Sequence, residues 1–129
     1  MHADPGLAGQ HVLLVDAGDF TAGYVGAALA GLGAVVTAMR TAADVVEALG
    51  SRSVRPDVAV LDMEAGRFAV LIAAEALAAA GIPFLTIASA RAEIPMLLSG
   101  HPHLRQPFAG FQVAESVVAL IGARTTPRG

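Results

Sequence analysis

Two short apolar runs in this chain each end in an aspartate: Val12-Leu13-Leu14-Val15-Asp16 and Val58-Ala59-Val60-Leu61-Asp62. Continuous β-branched and aliphatic runs of this length read as strands buried on both faces, the mark of a parallel sheet. Parallel neighbours need long crossovers, so strands of this kind alternate with helices. The residue that closes such a strand sits at the carboxyl edge, where open α/β sheets gather their ligands. Two carboxylates meeting there suit a cation or a phosphoryl group. One absence qualifies that chemistry: all 8 basic residues are arginine, and the chain has no lysine.

The alternation of strand and helix recurs five times along the sequence. Strand one covers about His11–Asp16. Asp19 is a candidate N-cap for a helix running to about Leu32, with Phe20, Tyr24 and Ala28 at i, i+4 spacing. Gly31 and Gly33 supply its stop. Ala34–Met39 reads as strand two. Thr41 and Asp44 have capping-box spacing, with Asp in place of the usual Glu. Behind them Ala42, Val45, Val46 and Leu49 form one apolar face, and Gly50 is expected to end the helix. Pro56 and Asp57 lead into strand three.

A further helix spans about Arg67–Ala80, closed by Gly81. Ile82–Ile87 is strand four, with Pro83 near its start, where a missing N–H costs least. A short helical turn is expected around Ala92–Leu98. His103–Gln106 is a brief fifth strand, stopped by Pro107. The last helix covers about Phe111–Ile121, with Val113, Val117, Leu120 and Ile121 on its buried side. The (βα)5 succession implies a parallel sheet with helices on both faces, flavodoxin-like in class. Its doubly wound strand order, 2-1-3-4-5, sets strands one and three side by side and brings Asp16 and Asp62 to one crevice.

At 129 residues the chain is long enough for one domain with a proper core. We place that domain at about residues 10–122, after a loose lead-in over 1–9 and before a tail over 123–129. The apolar share is 55%, much of it alanine, but Asp, Glu, Gly or Arg breaks every apolar stretch. None approaches the ~20 residues that span a bilayer, so no membrane segment is expected. The start lacks a basic-then-apolar leader, and with no cysteine there is no disulfide framework; both features favour the cytoplasm. A net charge of -3 gives no electrostatic case for nucleic acid.

Asp16 after strand one, Asp62 after strand three and Gln106-Pro107-Phe108 after strand five together resemble the receiver domain of bacterial response regulators, over about residues 10–122. Gly81-Ile82-Pro83-Phe84 and Pro102-His103-Leu104-Arg105-Gln106-Pro107-Phe108 are especially similar to a compact subgroup with a shortened fourth helix. In that family the third-strand aspartate accepts a phosphoryl group from a histidine kinase, and acidic residues after strand one hold Mg²⁺. A hydroxyl after strand four and a lysine after strand five bind the phosphoryl oxygens. The resemblance makes Asp62 the candidate phosphoacceptor and Asp16 the first of the usual acidic pair. The second acid is replaced by Ala17, with Asp19 close by in sequence. The hydroxyl position falls on Ala88, with Ser89 one residue on. The lysine position is Gln106, and the switch aromatic falls on His103. Glu64 stands where the family offers a backbone carbonyl to the metal.

These departures bear on the chemistry. Phosphoryl transfer to a carboxylate is mostly positioning plus neutralisation of charge on the equatorial oxygens. Asp16 and Asp62, with the Glu64 carbonyl, offer the minimum that Mg²⁺ accepts, so weak binding is expected. Gln106 donates a hydrogen bond but no charge. Arg105 is adjacent, but strand alternation points it to the opposite face.

Three readings follow. One is a stand-alone receiver in a phosphorelay, without catalytic activity of its own, whose partner is a histidine kinase, a phosphotransfer protein or another signalling protein. The second is a degenerate receiver that keeps the fold as an interaction module independent of phosphorylation. Its expected contact surface lies near His103, Arg105 and Phe111, and the family's habit of pairing there makes a homodimer a further candidate. The third, a flavodoxin-like small-ligand binder, has no phosphate loop, reactive cysteine or triad behind it. Plainer readings stand beside these roles. A strand-end aspartate commonly bonds loop amides, His101 and His103 lack further metal ligands, and Gly31-Leu32-Gly33 follows a helix rather than the strand a dinucleotide loop requires. The combined loss of lysine, one acid and the hydroxyl favours the degenerate form.

Overall fold

The computed structural model describes residues 7–16 and 19–125, and the side chains of all of these except 19–22 and 124–125. Ala17, the side chains of Asp19 and Phe20, and the tail beyond Thr125 therefore lie outside the described residues. The elements are β1 (His11–Val15), α1 (Asp19–Ala30), β2 (Val35–Met39), α2 (Ala42–Ser51), β3 (Val58–Asp62), α3 (Arg67–Ala79), β4 (Phe84–Ala88), β5 (His103–Arg105) and α4 (Gly110–Thr125). Two 3₁₀ turns, Met63–Ala65 and Met96–Leu98, follow β3 and precede β5.

All the strands are parallel and lie in the order β2-β1-β3-β4-β5, the doubly wound arrangement expected from the sequence. Burial explains the order. Every residue of β3 and β4 is buried, and so are four of the five in β1, as the uninterrupted apolar runs require of central strands. β2 and β5 are the edges: β2 is half exposed, and β5 is three residues long with His103 and Arg105 open to solvent.

The two faces bury separate cores. Val12, Leu14, Val58, Val60, Leu85 and Ile87 pack with Val25 and Leu29 of α1 and Val113 and Val117 of α4. Leu13, Val15, Ala59, Leu61 and Phe84 pack with Val45 of α2 and Val70, Ala73 and Leu77 of α3. Alternation along each strand sorts its side chains between these faces. Leu7, within the stretch read as a lead-in, is fully buried in the first core.

Local sequence sets the helix ends. Thr41 caps α2, its Oγ1 accepting from the Asp44 amide at 3.0 Å. Gly50 does not close α2. The helix continues through Ser51, and Arg52 takes the left-handed conformation at φ 62, ψ 24. The Arg52 amide donates to the Leu49 carbonyl and the Ser53 amide to Ala48, a Schellman ending carried by an arginine. Val46, expected on the apolar face, is 44% exposed, and Ala48 takes the inward position. Gly33 follows α1 at φ +96, and a Cβ there would stand 3.0 Å from Ala8 Cα; conformation and space both demand glycine. In the same layer, a Cβ on Gly110 would meet Ala28 Cβ at 2.8 Å, so the backbone at the start of α4 packs directly on the Ala28 side chain of α1. The Tyr24 hydroxyl accepts from the Gly110 amide at 3.0 Å and holds that contact.

The helical turn expected around Ala92–Leu98 shrinks to the 3₁₀ turn Met96–Leu98, and no α-helix covers α3 on that side among the described residues. No helix of the described residues is long and apolar enough to cross a membrane.

Candidate functional site

Val15 pairs with Leu61, so the next residues, Asp16 and Asp62, sit on one rung at the carboxyl ends of adjacent strands. Asp62 pairs in turn with Ile87 on β4. Alternation places both aspartates on the face of Leu14, Val60 and Ile87. Each is 4% exposed. The Asp16 amide donates to the Met39 carbonyl at 3.0 Å, extending the β1–β2 ladder by one step. Asp62 Oδ1 accepts from the Glu64 amide at 2.9 Å and caps the 3₁₀ turn Met63–Ala65. Bonding to a loop amide, the plain role of a strand-end aspartate, is thus one thing Asp62 does. The Glu64 side chain is exposed.

The rung continues toward β5. The Gln106 amide donates to the Ala88 carbonyl at 2.8 Å, one step past the Ala88–Arg105 pair. By alternation Gln106 lies on the side of Leu104, which packs on the same core as Leu14 and Ile87. The Gln106–Pro107 peptide bond is cis. Asp16, Asp62 and Gln106 therefore share one edge and one side of the sheet. Ala88 is buried, and Ser89 beyond it is half-buried.

Arg105 points away from this edge, as alternation requires. Its Nη1 donates to the carbonyls of Ser89, Ala90 and Ala92 at 3.3, 3.3 and 2.6 Å. The guanidinium fastens the segment after β4 to the edge strand and lines an open hollow with His103, Arg67 and Met96. Phe111 is elsewhere: it is 64% exposed and lines a groove between α1 and α4 with Ala28, Leu32 and Val118. The residues expected to form one contact surface therefore divide, with His103 and Arg105 together and Phe111 apart.

Two features were not singled out from the sequence. Arg105 binding three carbonyls depends on the path of a loop more than ten residues away in the chain. Thr86 is 1% exposed, and its Oγ1 has no hydrogen-bond partner among the described residues. It pairs with Leu61, one rung below Asp62, so it is recessed from the edge where Ala88 sits. A buried hydroxyl without a partner costs about 1–3 kcal/mol. Thr86→Val should therefore raise stability by about 1 kcal/mol in urea unfolding; a loss of that size would mean the hydroxyl is bonded in solution.

No protein-family model matches the chain, and neither does any curated protein sequence. Solved structures do. A response regulator receiver protein from Burkholderia phymatum is 21% identical, with a TM-score of 0.76, over 88% of this chain and 95% of that one. One from Sinorhizobium medicae WSM419 is 22% identical, with a TM-score of 0.70, over 89% and 96%. The signal receiver domain of a modulated diguanylate cyclase from Desulfovibrio desulfuricans G20 is 23% identical, with a TM-score of 0.74, over 88% and 94%. At such identities the likeness speaks for architecture. In its fold, then, this chain is a receiver-like domain.

Proposed function

We propose that the chain is a receiver-type module of two-component signalling, with Asp62 as its candidate phosphoacceptor, that acts through protein contacts rather than catalysis and depends little on phosphorylation. The observation that carries this reading is the composition of one sheet edge. Asp16 and Asp62 lie on one rung and one side, in the crevice where a doubly wound sheet reverses. The third member of that edge is an uncharged amide, Gln106, and the neighbouring cation, Arg105, is bound to carbonyls on the opposite side. A phosphoryl group here would find a nucleophile, but at Gln106 no cation and at Ala88 no hydroxyl.

Mg²⁺ is the ion this edge suits in kind. The carboxylates of Asp16 and Asp62 are hard oxygen donors, and the Glu64 carbonyl would complete the protein's share. The metal would supply the charge neutralisation that Gln106 does not. The donor set is short, however: among the described residues no three of His, Cys, Asp or Glu gather into a metal group. Weak binding follows from that, and Asp16→Asn should abolish what there is.

The test is intact-mass measurement after incubation with acetyl phosphate and Mg²⁺. The expected result is little or no phosphoryl adduct. A strong adduct that disappears in Asp62→Asn would replace this reading with that of a working phosphoacceptor. Ala17→Asp combined with Gln106→Lys should raise the adduct by about tenfold or more, since the aspartate adds an oxygen ligand for Mg²⁺ and the lysine a cation for the phosphoryl oxygens. No gain would mean that backbone geometry, as well as charge, has departed from a working site.

A further inference from the structure

Between β4 and β5 the crossover holds the 3₁₀ turn Met96–Leu98 where a helix would cover the sheet, and the outer face of α3 is left open. Phe68, Ile72, Met96 and Leu97 are 78%, 50%, 86% and 79% exposed. Phe68, Ile72, Glu75 and Ala79 recur at i, i+4, i+7 and i+11, one stripe along the helix, and all are exposed. Beside the C-terminal half of this stripe runs a groove of about 330 Å³, lined by Leu71, Ala78, Phe84, Leu97 and His101. Clustered exposed apolar side chains of this kind mark a contact surface.

We propose that the occupant of this surface is a second copy of the same chain, with the two α3 helices antiparallel about a two-fold axis near Leu71 and Ile72. Charge complementarity selects that occupant. Arg67 and Glu75 are both exposed, two turns apart, and equidistant from Leu71. An isologous contact makes each pairing twice, so Arg67 of each copy meets Glu75 of the other. The same operation carries Phe68 over the C-terminal half of the opposite α3, where the groove lies. One symmetry operator thus fills the groove and pairs the charges.

The helix itself adds a second argument. Arg67 opens α3, where the macrodipole disfavours a cation, and the first turn contains no acidic residue to offset it. In the proposed pairing Glu75 of the other copy offsets that charge. This inference does not rest on chemistry at Asp62, and its failure would leave the reading of that site untouched.

Sedimentation equilibrium of the 129-residue chain, at low salt and over a concentration series, tests it. A dimer is expected. Phe68→Asp should raise the dissociation constant about a hundredfold or more, and Arg67→Glu or Glu75→Arg alone about tenfold. Combining Arg67→Glu with Glu75→Arg should restore most of the affinity, a recovery that mere damage to the fold would not produce. Both reversals agree with the helix dipole, so at concentrations low enough to keep all variants monomeric each should melt no lower than the parent. Phe111→Asp, in the groove between α1 and α4, should leave the dimer intact. A monomer at every concentration, dimerisation lost through Phe111→Asp instead of Phe68→Asp, or a double reversal no tighter than the single ones would overturn the proposal.

Discussion

Phe84→Ala is expected to lower the unfolding free energy by about 3–5 kcal/mol, seen as a fall in urea midpoint with little change in slope. The ring is 2% exposed at the start of a central strand, packed in the core under α2 and α3. It also stacks on the His101 ring, with centroids 4.2 Å apart and planes 23° apart. Truncation removes the buried area and leaves a cavity that cannot fully close, because backbone hydrogen bonds hold β4 on both sides. A loss near 1 kcal/mol would show that the segment from 96 to 101 collapses into the space. Leu at this position should retain much more of the stability, since volume and hydrophobicity survive while the ring contact does not.

The second large effect lies where the sequence promises none. Leu7→Ala should cost about 2–5 kcal/mol in the same assay. Leu7 has no exposed surface and packs in the core with Val12, Leu29 and Val58. The chain fixes it there through the turn that follows: the Gln10 amide donates to the Leu7 carbonyl at 3.0 Å, and the Gly9 amide to Gly33 at 3.2 Å. Removing residues 1–6 should be tolerated, whereas removing 1–7 should match the point substitution or exceed it. Equal stability of the two truncations would mean that Leu7 is not seated in the core in solution.

Much of the architecture was legible because continuous apolar runs admit few environments. Strands such as Val12–Val15 and Val58–Leu61 have no polar side to turn to water, so they had to be central, and their terminal aspartates had to reach the carboxyl edge. Local rules failed where a distant contact decided the outcome. Leu7 sits among small residues and glycines that locally read as loose, and it is buried as part of a core built from residues distant in the chain. Gly50 looked like a helix stop, but the left-handed position came two residues later and fell on Arg52. Val46 matched the apolar period of α2 yet points outward, and Ala48 is buried in its stead.

The candidate site divides along the same line. That Asp16, Asp62 and Gln106 share an edge follows from strand period and order alone. That Arg105 is engaged elsewhere was legible as a direction, while its carbonyl partners were not, since a loop path carries no periodic signal. The split between Phe111 and the pair His103 and Arg105 was hidden for the same reason: sequence proximity to one edge does not settle which groove a side chain enters.

The contact of Gly110 with Ala28, bolted by the Tyr24 hydroxyl, has a mechanical consequence. With only the Ala28 methyl between the start of α4 and α1, any larger side chain at position 28 or 110 would have to prise the two helices apart. At the same carboxyl edge as the aspartates, the Arg105 guanidinium ties the segment after β4 to β5, so both ends of that edge are fastened by single side chains.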